Sequence, residues 1–407
     1  MNAISLITME DKNMLRSIIN NCLLIFFCLF STFTNASNFL LVSEINARVT
    51  YDDNINASAT GNDESSSIVK ITPKIKLKYT SDAWETAVNA SVAGTTYSAD
   101  YQDNFDAHLD LETAYKDNRN IYSAFVGYDN FSSRTAEENV LAESLEQTDT
   151  KKLSLAPKYS HLLTERLSLS LAYQYSDVKY TSASQRYLPY ETTGASGEVE
   201  YKLSQKSQLS FLLTSTDYSS ENDISEYHML ASKFGIDHDF SEMITSKLFV
   251  GVNTRDFSTR SAAGFNFLGS NVTGTQAVEG SNSGATFEAV IDAKWIEFGA
   301  SRNVVPNFTG GLDQTDTIHT KLRMKVTALI GIVLAINQVS IEELNDNVVD
   351  YSRSFTTIIP AMNFSLAHNL NLRAEYFYSK NNYEGVSQDE IGKNKFAVNL
   401  KYDFPSI

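Results

Sequence analysis

The sequence predicts an all-β fold, a single transmembrane, antiparallel, up-and-down β-barrel of about 18 strands with 16 as the runner-up. Three observations predict it. Apolar residues alternate with polar or small ones in many separate runs, the connections alternate between tight turns and long polar loops, and the last run ends in aromatic residues. The net charge of −16 argues against nucleic-acid binding, which needs Lys and Arg to neutralise phosphates.

Residues 1–36 have the features of a secretory signal peptide. A basic residue precedes an apolar run at 22–33, and small residues form a cleavage site that ends at Ala36. The apolar run is too short to cross a bilayer as a helix. Both cysteines of the chain lie in this segment, so residues 37–407 cannot form a disulfide. We predict that residues 1–36 are removed and that residues 37–407 form the barrel in the outer membrane of a Gram-negative bacterium.

Alternation with a period of two is the signature of strands, because successive side chains of a strand point to opposite faces. Helical periodicity is weak and confined to "TAEENVLAESLEQ" (135–147), which we interpret as a loop helix or an unstructured segment. The clearest alternating runs are "AWETAVNASVAG" (83–94), "LDLETAYKD" (109–117), "LSLSLAYQYSD" (167–177), "KLFVGVN" (247–253) and "NLRAEYFYS" (371–379).

The connections between these runs are of two kinds. Long connections are rich in Asp, Glu, Asn, Ser and Gly, and the longest covers about 255–283. The tight ones lie at 81–82, 116–120, 163–166, 204–208, 241–246 and 367–371, with weaker signals near Trp295 and Ile330. Eight tight turns, with both termini on the same rim, predict 18 strands. Short turns are then expected in the periplasm and long loops outside the cell. A soluble β-sandwich is the alternative, but it would require more turn glycines.

The stretch "SIVKITPKIKLKYT" (67–80) shows which face meets lipid. Four lysines occupy every second position, and apolar residues such as Ile71 and Ile75 stand between them. Lysines facing lipid would cost roughly 2–4 kcal/mol each near the bilayer midplane. We therefore predict that the lysines face the lumen. Pro73, Pro157 and Pro360 sit at comparable places before tight turns, and we predict a β-bulge at each.

Alternation assigns a set of basic residues to the lumen, where they form a candidate binding surface for an anionic solute or polymer: Lys70, Lys74, Lys76, Lys78, Lys152, Lys158, Lys321, Arg323 and Lys325. Acidic residues collect in the predicted loops: Glu137, Glu138, Glu143, Glu146, Glu221, Asp223, Asp389 and Glu390. The alternative is that the lysines pair with lumenal Glu85, Asp110 and Glu112 and only neutralise the interior.

The last run, "NKFAVNLKYDF", has aromatic and aliphatic residues on one face. It resembles the terminal strand by which the barrel-assembly machinery receives outer-membrane proteins, although three residues follow its last phenylalanine. The resemblance implies an assembly signal at Phe396, Val398, Leu400, Tyr402 and Phe404.

The residues do not suggest catalysis. The six histidines are scattered without metal-ligand spacing. The segment "GSNVTGTQAVEGSNSG" (269–284) lacks the lysine of a phosphate-binding loop, and we interpret it as a flexible extracellular loop. Acidic residues near Asp52 and Asp63 could hold a divalent cation, but a solvated acidic loop is the simpler interpretation. We expect no enzyme activity, cofactor or bound metal.

Several elements together resemble the outer-membrane barrels found with exosortase and extracellular-polysaccharide gene clusters, called beta-barrel porin 2-like. They are "ARVTYDDNI" (47–55), "IVKITPKIKL" (68–77), "YSHLLTERLSLSLAYQYSD" (159–177), "FGASRNV" (298–304) and "LAINQVSIEE" (334–343). The resemblance implies a non-catalytic part in polysaccharide production or export, as a conduit or scaffold. The partners it implies are outer-membrane lipid, the barrel-assembly machinery, polysaccharide and export proteins. The alternative function is a general diffusion porin for small, in particular anionic, solutes.

Overall fold

The computed structural model describes most of the chain beyond the predicted signal peptide. The residues described are 39–55, 64–98, 103–132, 148–181, 188–221, 225–260, 266–267, 270–271, 277–306, 312–343, 352–384 and 391–405. The predicted signal peptide, the interpreted helix at 135–147 and most of the predicted acidic loop residues lie outside these ranges. Within them, no helix has the length and apolarity needed to cross a bilayer.

The described residues form twenty β-strands. The first eleven are β1 (Phe39–Asp52), β2 (Ser66–Thr80), β3 (Trp84–Tyr97), β4 (Asn104–Lys116), β5 (Asn120–Ser132), β6 (Asp149–Leu162), β7 (Leu167–Tyr180), β8 (Tyr190–Lys202), β9 (Ser207–Ser220), β10 (Ser225–Ser241) and β11 (Ile244–Arg260). The others are β12 (Asn266–Phe267), β13 (Ser270–Asn271), β14 (Ala277–Ala293), β15 (Ile296–Pro306), β16 (Leu312–Lys325), β17 (Ile330–Glu343), β18 (Ser352–Ala367), β19 (Leu370–Glu384) and β20 (Ile391–Asp403).

Eighteen strands form one antiparallel sheet that closes into a barrel, and β12 and β13 form a separate small hairpin. Each strand of the barrel pairs with its neighbours in sequence, and β1 pairs with β20 from Glu44 opposite Asp403 to Asp52 opposite Lys395. Closure satisfies the backbone groups that an open sheet edge would leave unpaired in hydrocarbon. The predicted fold class and strand number are confirmed.

Short turns join the strands at one rim, at all eight predicted places, including the two with weak signals near Trp295 and Ile330. Polar side chains at the turns accept backbone hydrogen bonds. The Asp117 carboxylate accepts one from the Asn120 N–H at 2.7 Å. These bonds fix the direction of the returning strand, because they hold the first turn residues in place. Equivalent bonds three residues apart are made by Ser81, Thr164 and Thr327.

The outer face carries an apolar band. Large apolar side chains on it are exposed, for example Ile75 at 52%. Near the short turns, aromatic rings contact one another across successive strands, as in the girdle that flanks the hydrocarbon in outer-membrane barrels. These ring contacts are Phe39–Tyr79, Trp84–Tyr115, Tyr115–Tyr122 and Tyr122–Tyr159.

The predicted bulges at Pro73, Pro157 and Pro360 are wrong. Each proline stays in register with the preceding strand. Pairing with the following strand is interrupted there but resumes without a shift. The physical reason is that proline lacks the N–H that the second pairing needs, so it leaves a gap and adds no extra residue. Register shifts occur instead at 239–241 and 365–367, next to short turns.

The predicted loop at 255–283 is largely strand. β11 continues to Arg260 and β14 begins at Ala277, and the two strands pair over their full lengths. The interpretation of 269–284 as a flexible loop is therefore corrected for residues 277–284. Backbone pairing continues here although the sequence is rich in Ser, Gly and Asn, because the partner strand supplies the hydrogen bonds.

The lumen as candidate functional site

The register of the barrel decides which side chains meet the lumen. Residues of β2 with even numbers face inward, together with the odd-numbered residues of β3 and the even-numbered residues of β1 and β4. By the same register, all nine basic residues predicted to line the lumen lie on its wall: Lys70, Lys74, Lys76, Lys78, Lys152, Lys158, Lys321, Arg323 and Lys325. Their role in ligand binding stays a prediction.

The lysine row of β2 is largely neutralised by carboxylates on nearby strands. Lys76 has no carboxylate within 4 Å among the described residues. The other three form ion pairs, which are Lys70–Asp106 (3.3 Å), Lys74–Glu44 (3.3 Å) and Lys78–Glu85 (2.7 Å).

The predicted pairing partners of this row were only partly right. Glu85 contacts Lys78, whereas neither Asp110 nor Glu112 contacts a lysine of the row in the part of the chain that the structure describes. The partners that sequence reasoning missed are Asp106 and Glu44. Alternation shows which face a residue takes, but partners on neighbouring strands depend on register and tilt, which alternation does not specify.

The basic group of β16 is also partly neutralised. The Arg323 guanidinium contacts the carboxylate of Asp292 at 3.3 Å and that of Glu297. Lys321 and Lys325 have no carboxylate within 4 Å among the residues described. The ends of β14 and β15 at the short-turn rim thus supply the negative charge that faces this group.

The two predicted cations of β6 differ. Lys158 pairs with Glu198 of β8 at 3.6 Å. Lys152 lies nearer the long-loop rim and has no ion pair in the described structure. Since five of the nine predicted cations have a carboxylate partner, the lumen presents charges of both signs.

An ion-pair cluster joins the barrel where its first and last strands meet. The Asp52 side chain is 1% exposed and contacts the ammonium groups of Lys393 at 3.1 Å and Lys395 at 3.4 Å. Nearer the short-turn rim, Lys401 contacts Glu44 at 2.7 Å. Lys395 and Lys401 alternate with the apolar residues of "NKFAVNLKYDF", and alternation alone does not identify their partners.

A second polar cluster was not predicted. His108 lies between two carboxylates, with one ring nitrogen bonded to Asp129 and the other 2.6 Å from Asp110. Asn89 donates to the same Asp110 at 2.6 Å. The signal in the sequence is the spacing of His108 and Asp110, which puts both on one face of a strand. Among described residues, no group of three or more His, Cys, Asp or Glu is arranged to hold a metal ion.

The residues of the implied assembly signal face lipid on β20 and just beyond it: Phe396, Val398, Leu400, Tyr402 and Phe404. The Phe404 N–H donates to the carbonyl of Ser43 on β1 at 2.9 Å. The segment that follows the last strand therefore contacts the first strand at the short-turn rim. Recognition by the assembly machinery stays a prediction.

The chain resembles solved outer-membrane proteins in fold. Pseudomonas aeruginosa OccK2 (OpdF) superposes with a TM-score of 0.53 at 10% identity, covering 90% of this chain and 98% of that one. P. aeruginosa OpdQ gives 0.49 at 9% identity, covering 91% and 100%, and OprD gives 0.48 at 12%, covering 92% and 97%. No protein-family model and no curated protein sequence matches the chain.

The comparison with OccK2 (OpdF) corrects the functional expectation. That barrel is a diffusion porin, which is a non-enzymatic channel. This similarity contradicts the expected part in polysaccharide production or export and favours the alternative, a diffusion porin. The resemblance rested on strand patterns and turns that many outer-membrane barrels share, which explains why it predicted the fold but misassigned the function. The barrel places the protein in the outer membrane of a Gram-negative bacterium.

Proposed function

We propose that the protein is a non-catalytic diffusion porin that passes small polar solutes across the outer membrane. The observation that supports this most strongly is the contrast between its two faces. The outer face has an apolar band and an aromatic girdle, whereas charged and hydroxyl side chains line the inner wall along the strands. A polar inner wall within an apolar cylinder favours a water-filled path.

The charges of the lumen favour weak ion selectivity. Ion pairs neutralise several cations. Among the described residues, the lumenal carboxylates of Glu112 and Glu288 have no ion-pair partner, and neither do the ammonium groups of Lys76 and Lys321. Fixed charges of both signs attract both kinds of ion at short range. We therefore expect solutes to be sorted by size and hydrogen bonding more than by net charge.

Conductance in planar bilayers tests this proposal. Refolded residues 37–407, shown to be native by heat-modifiable migration in gels, should give stepwise ohmic conductance with nearly equal passage of K⁺ and Cl⁻. A matched sample that was heated and not refolded should give none. Native protein that inserts into the bilayer but never conducts would contradict the porin proposal.

We also propose how the chain matures and how it is assembled into the membrane. β1 begins at Phe39, three residues beyond the proposed cleavage after Ala36, so the whole first strand remains in the mature protein. We further propose that the lipid-facing residues of β20 and Phe404 dock the chain on the barrel-assembly machinery. Amino-terminal sequencing should show Ser37 first. Phe404→Asp should leave the chain unassembled and degraded, and normal levels of native protein would show that the signal lies elsewhere.

A further inference from the structure

The short-turn rim carries different residues on its two sides. The turns that follow β2, β4, β6 and β8 have exposed charged or amide side chains at their tips, such as Asp82, Asn118 and Gln205. The turns that follow β10, β14 and β16 carry large apolar side chains that are exposed, and Trp295 is the most exposed of them at 65%. We call this second group the apolar rim, and its members are Met243, Trp295, Val326 and Leu329.

The apolar rim continues the lipid-facing band of the barrel. Leu322 and Met324 face lipid on β16, Val326 follows them in the turn, and all three side chains are exposed. On β4, by contrast, the lipid-facing row passes from Tyr115 to the charged Asp117 in the turn. Exposed apolar surface is costly in water, and here it adjoins surface that lipid already covers. This continuity favours lipid as the surface that covers the apolar rim.

The far border of the lipid-facing band lies close to the short turns on β15. Arg302 faces outward there and forms two hydrogen bonds of 2.6 Å with Asp316 of β16. Only residues 296–301 lie between Trp295 and this charged pair. A tilted strand needs about 9–11 residues to cross the hydrocarbon, so β15 is too short below the pair to do so alone. Apolar residues of the turns are therefore needed to complete the lipid-facing height on this side.

Backbone groups in the turns of the apolar rim bond within the protein. The Thr327 hydroxyl accepts hydrogen bonds from the N–H groups of Leu329 and Ile330 at 3.1 and 3.0 Å. The carbonyl of Trp295 accepts one from the Arg323 N–H of the next hairpin at 2.8 Å. Backbone groups must be satisfied internally where water is excluded. These bonds therefore allow the turns to enter lipid without losing hydrogen bonds to water.

We infer that the apolar rim is buried in the lipid leaflet on the short-turn side, whereas the turns after β2, β4, β6 and β8 stand in water. The exposed Lys294, next to Trp295, extends along the lipid surface to reach the phosphate groups of the headgroups. The two sides of the short-turn rim then lie at different depths, so the barrel axis is inclined to the membrane normal. This inference goes beyond the porin proposal and does not depend on whether the lumen conducts.

The two tryptophans of the protein, Trp84 and Trp295, report on lipid contact one at a time. Trp84 belongs to the aromatic girdle of the outer face and calibrates the measurement in the Trp295→Phe protein. The proteins are refolded into vesicles of phosphatidylethanolamine and phosphatidylglycerol, and heat-modifiable migration confirms the native fold. In the Trp84→Phe protein, lipids with brominated acyl chains should quench the emission of Trp295 by about half, as they quench Trp84 in its own variant, because tryptophan at this level meets lipid. Aqueous iodide should quench Trp295 no more than Trp84.

A pair of cysteines compares the two sides of the rim directly. Asn118 and Ala328 are exposed inside turns on opposite sides, and residues 37–407 contain no other cysteine. A nitroxide label is attached to Asn118→Cys or Ala328→Cys, and its relaxation by oxygen, which concentrates in lipid, is compared with that by a water-soluble nickel chelate. The ratio of oxygen to nickel relaxation should be several-fold higher for Ala328→Cys. Both variants keep the two tryptophans, so this pair decides the inference even where Trp84→Phe does not fold.

Two results would overturn the inference. Quenching of Trp295 by iodide and not by bromine, together with equal relaxation ratios at the two labels, would show that the apolar rim stands in water. Protection of Trp295 from both quenchers, relieved when the ratio of protein to lipid is lowered, would show that a second copy of the chain covers it. Neither result concerns conductance, so the porin proposal is decided separately.

Discussion

Two parts of the lumenal wall have opposite chemistry although the same alternation produces both. The first, which we call the paired wall, is formed by β19, β20 and β1 to β4. Most of its charged groups contact one another, as Asp52 contacts Lys393 and Lys395. The second, the hydroxyl wall, lines a pocket of about 350 Å³ on the lumenal side of β5 to β9. Its polar groups include Ser176 and Thr192 and have no partners among the described residues.

The difference indicates that the two walls have different roles, one in stability and one in binding. Ion pairs across strands hold the paired wall together at the place where the first and last strands meet, and they leave few groups there for a solute. The hydroxyl wall keeps its hydrogen-bonding groups unsatisfied, which favours binding over stability. Substitutions in the two walls should therefore affect different measurements.

The largest effect is expected for Asp52→Asn in the paired wall. The substitution leaves Lys393 and Lys395, each 13% exposed, without their shared carboxylate. Loss of one partner from a buried ion pair costs about 3 kcal/mol or more. The free energy of unfolding in urea, followed by tryptophan fluorescence, should fall by that amount.

An exposed pair provides the control for this measurement. Asp177 on the outer face contacts Lys179 at 2.7 Å, and the lysine is 65% exposed. Asp177→Asn should change the free energy of unfolding by less than about 1 kcal/mol. Equal losses in the two variants would show that the paired wall does not stabilise the barrel.

A smaller effect, on selectivity, is expected when Lys70, Lys74 and Lys78 are all replaced by Gln. The replacement removes one cationic partner each from Asp106, Glu44 and Glu85, so the lumen becomes more negative. Reversal potentials in a KCl gradient should shift towards cation selectivity, whereas Lys76→Gln alone should shift them less. An unchanged reversal potential in a conducting channel would show that these charges do not face the ion path.

The smallest effect on stability is expected in the hydroxyl wall. Ser176→Ala combined with Thr192→Val removes two hydroxyl groups that bond no described residue, so the free energy of unfolding should stay within about 0.5 kcal/mol of the unmodified value. A large loss of stability would reveal that these hydroxyl groups have structural partners and would weaken the contrast between the walls.

The sequence was sufficient to predict the strand number and the facing of residues such as Lys70 and Lys152, because both follow from turns and a period of two. It could not predict that Lys70 pairs with Asp106, since the contact depends on how three strands are offset. It also could not predict the pocket, which needs Phe125, Lys152 and Gly194 from different strands to lie together. The proline bulges were predicted wrongly because a missing N–H can leave a gap in pairing without an inserted residue.

Two neighbouring residues of β2 provide the most direct test that a polar, solvent-accessible lumen lies within an apolar cylinder. Residues 37–407 contain no cysteine, so Lys76→Cys and Ile75→Cys each introduce a single thiol, on the lumenal and the lipid-facing side respectively. A charged, membrane-impermeant thiol reagent should lower the single-channel current of Lys76→Cys and leave that of Ile75→Cys unchanged. Modification of Ile75→Cys with no effect on Lys76→Cys would contradict the account.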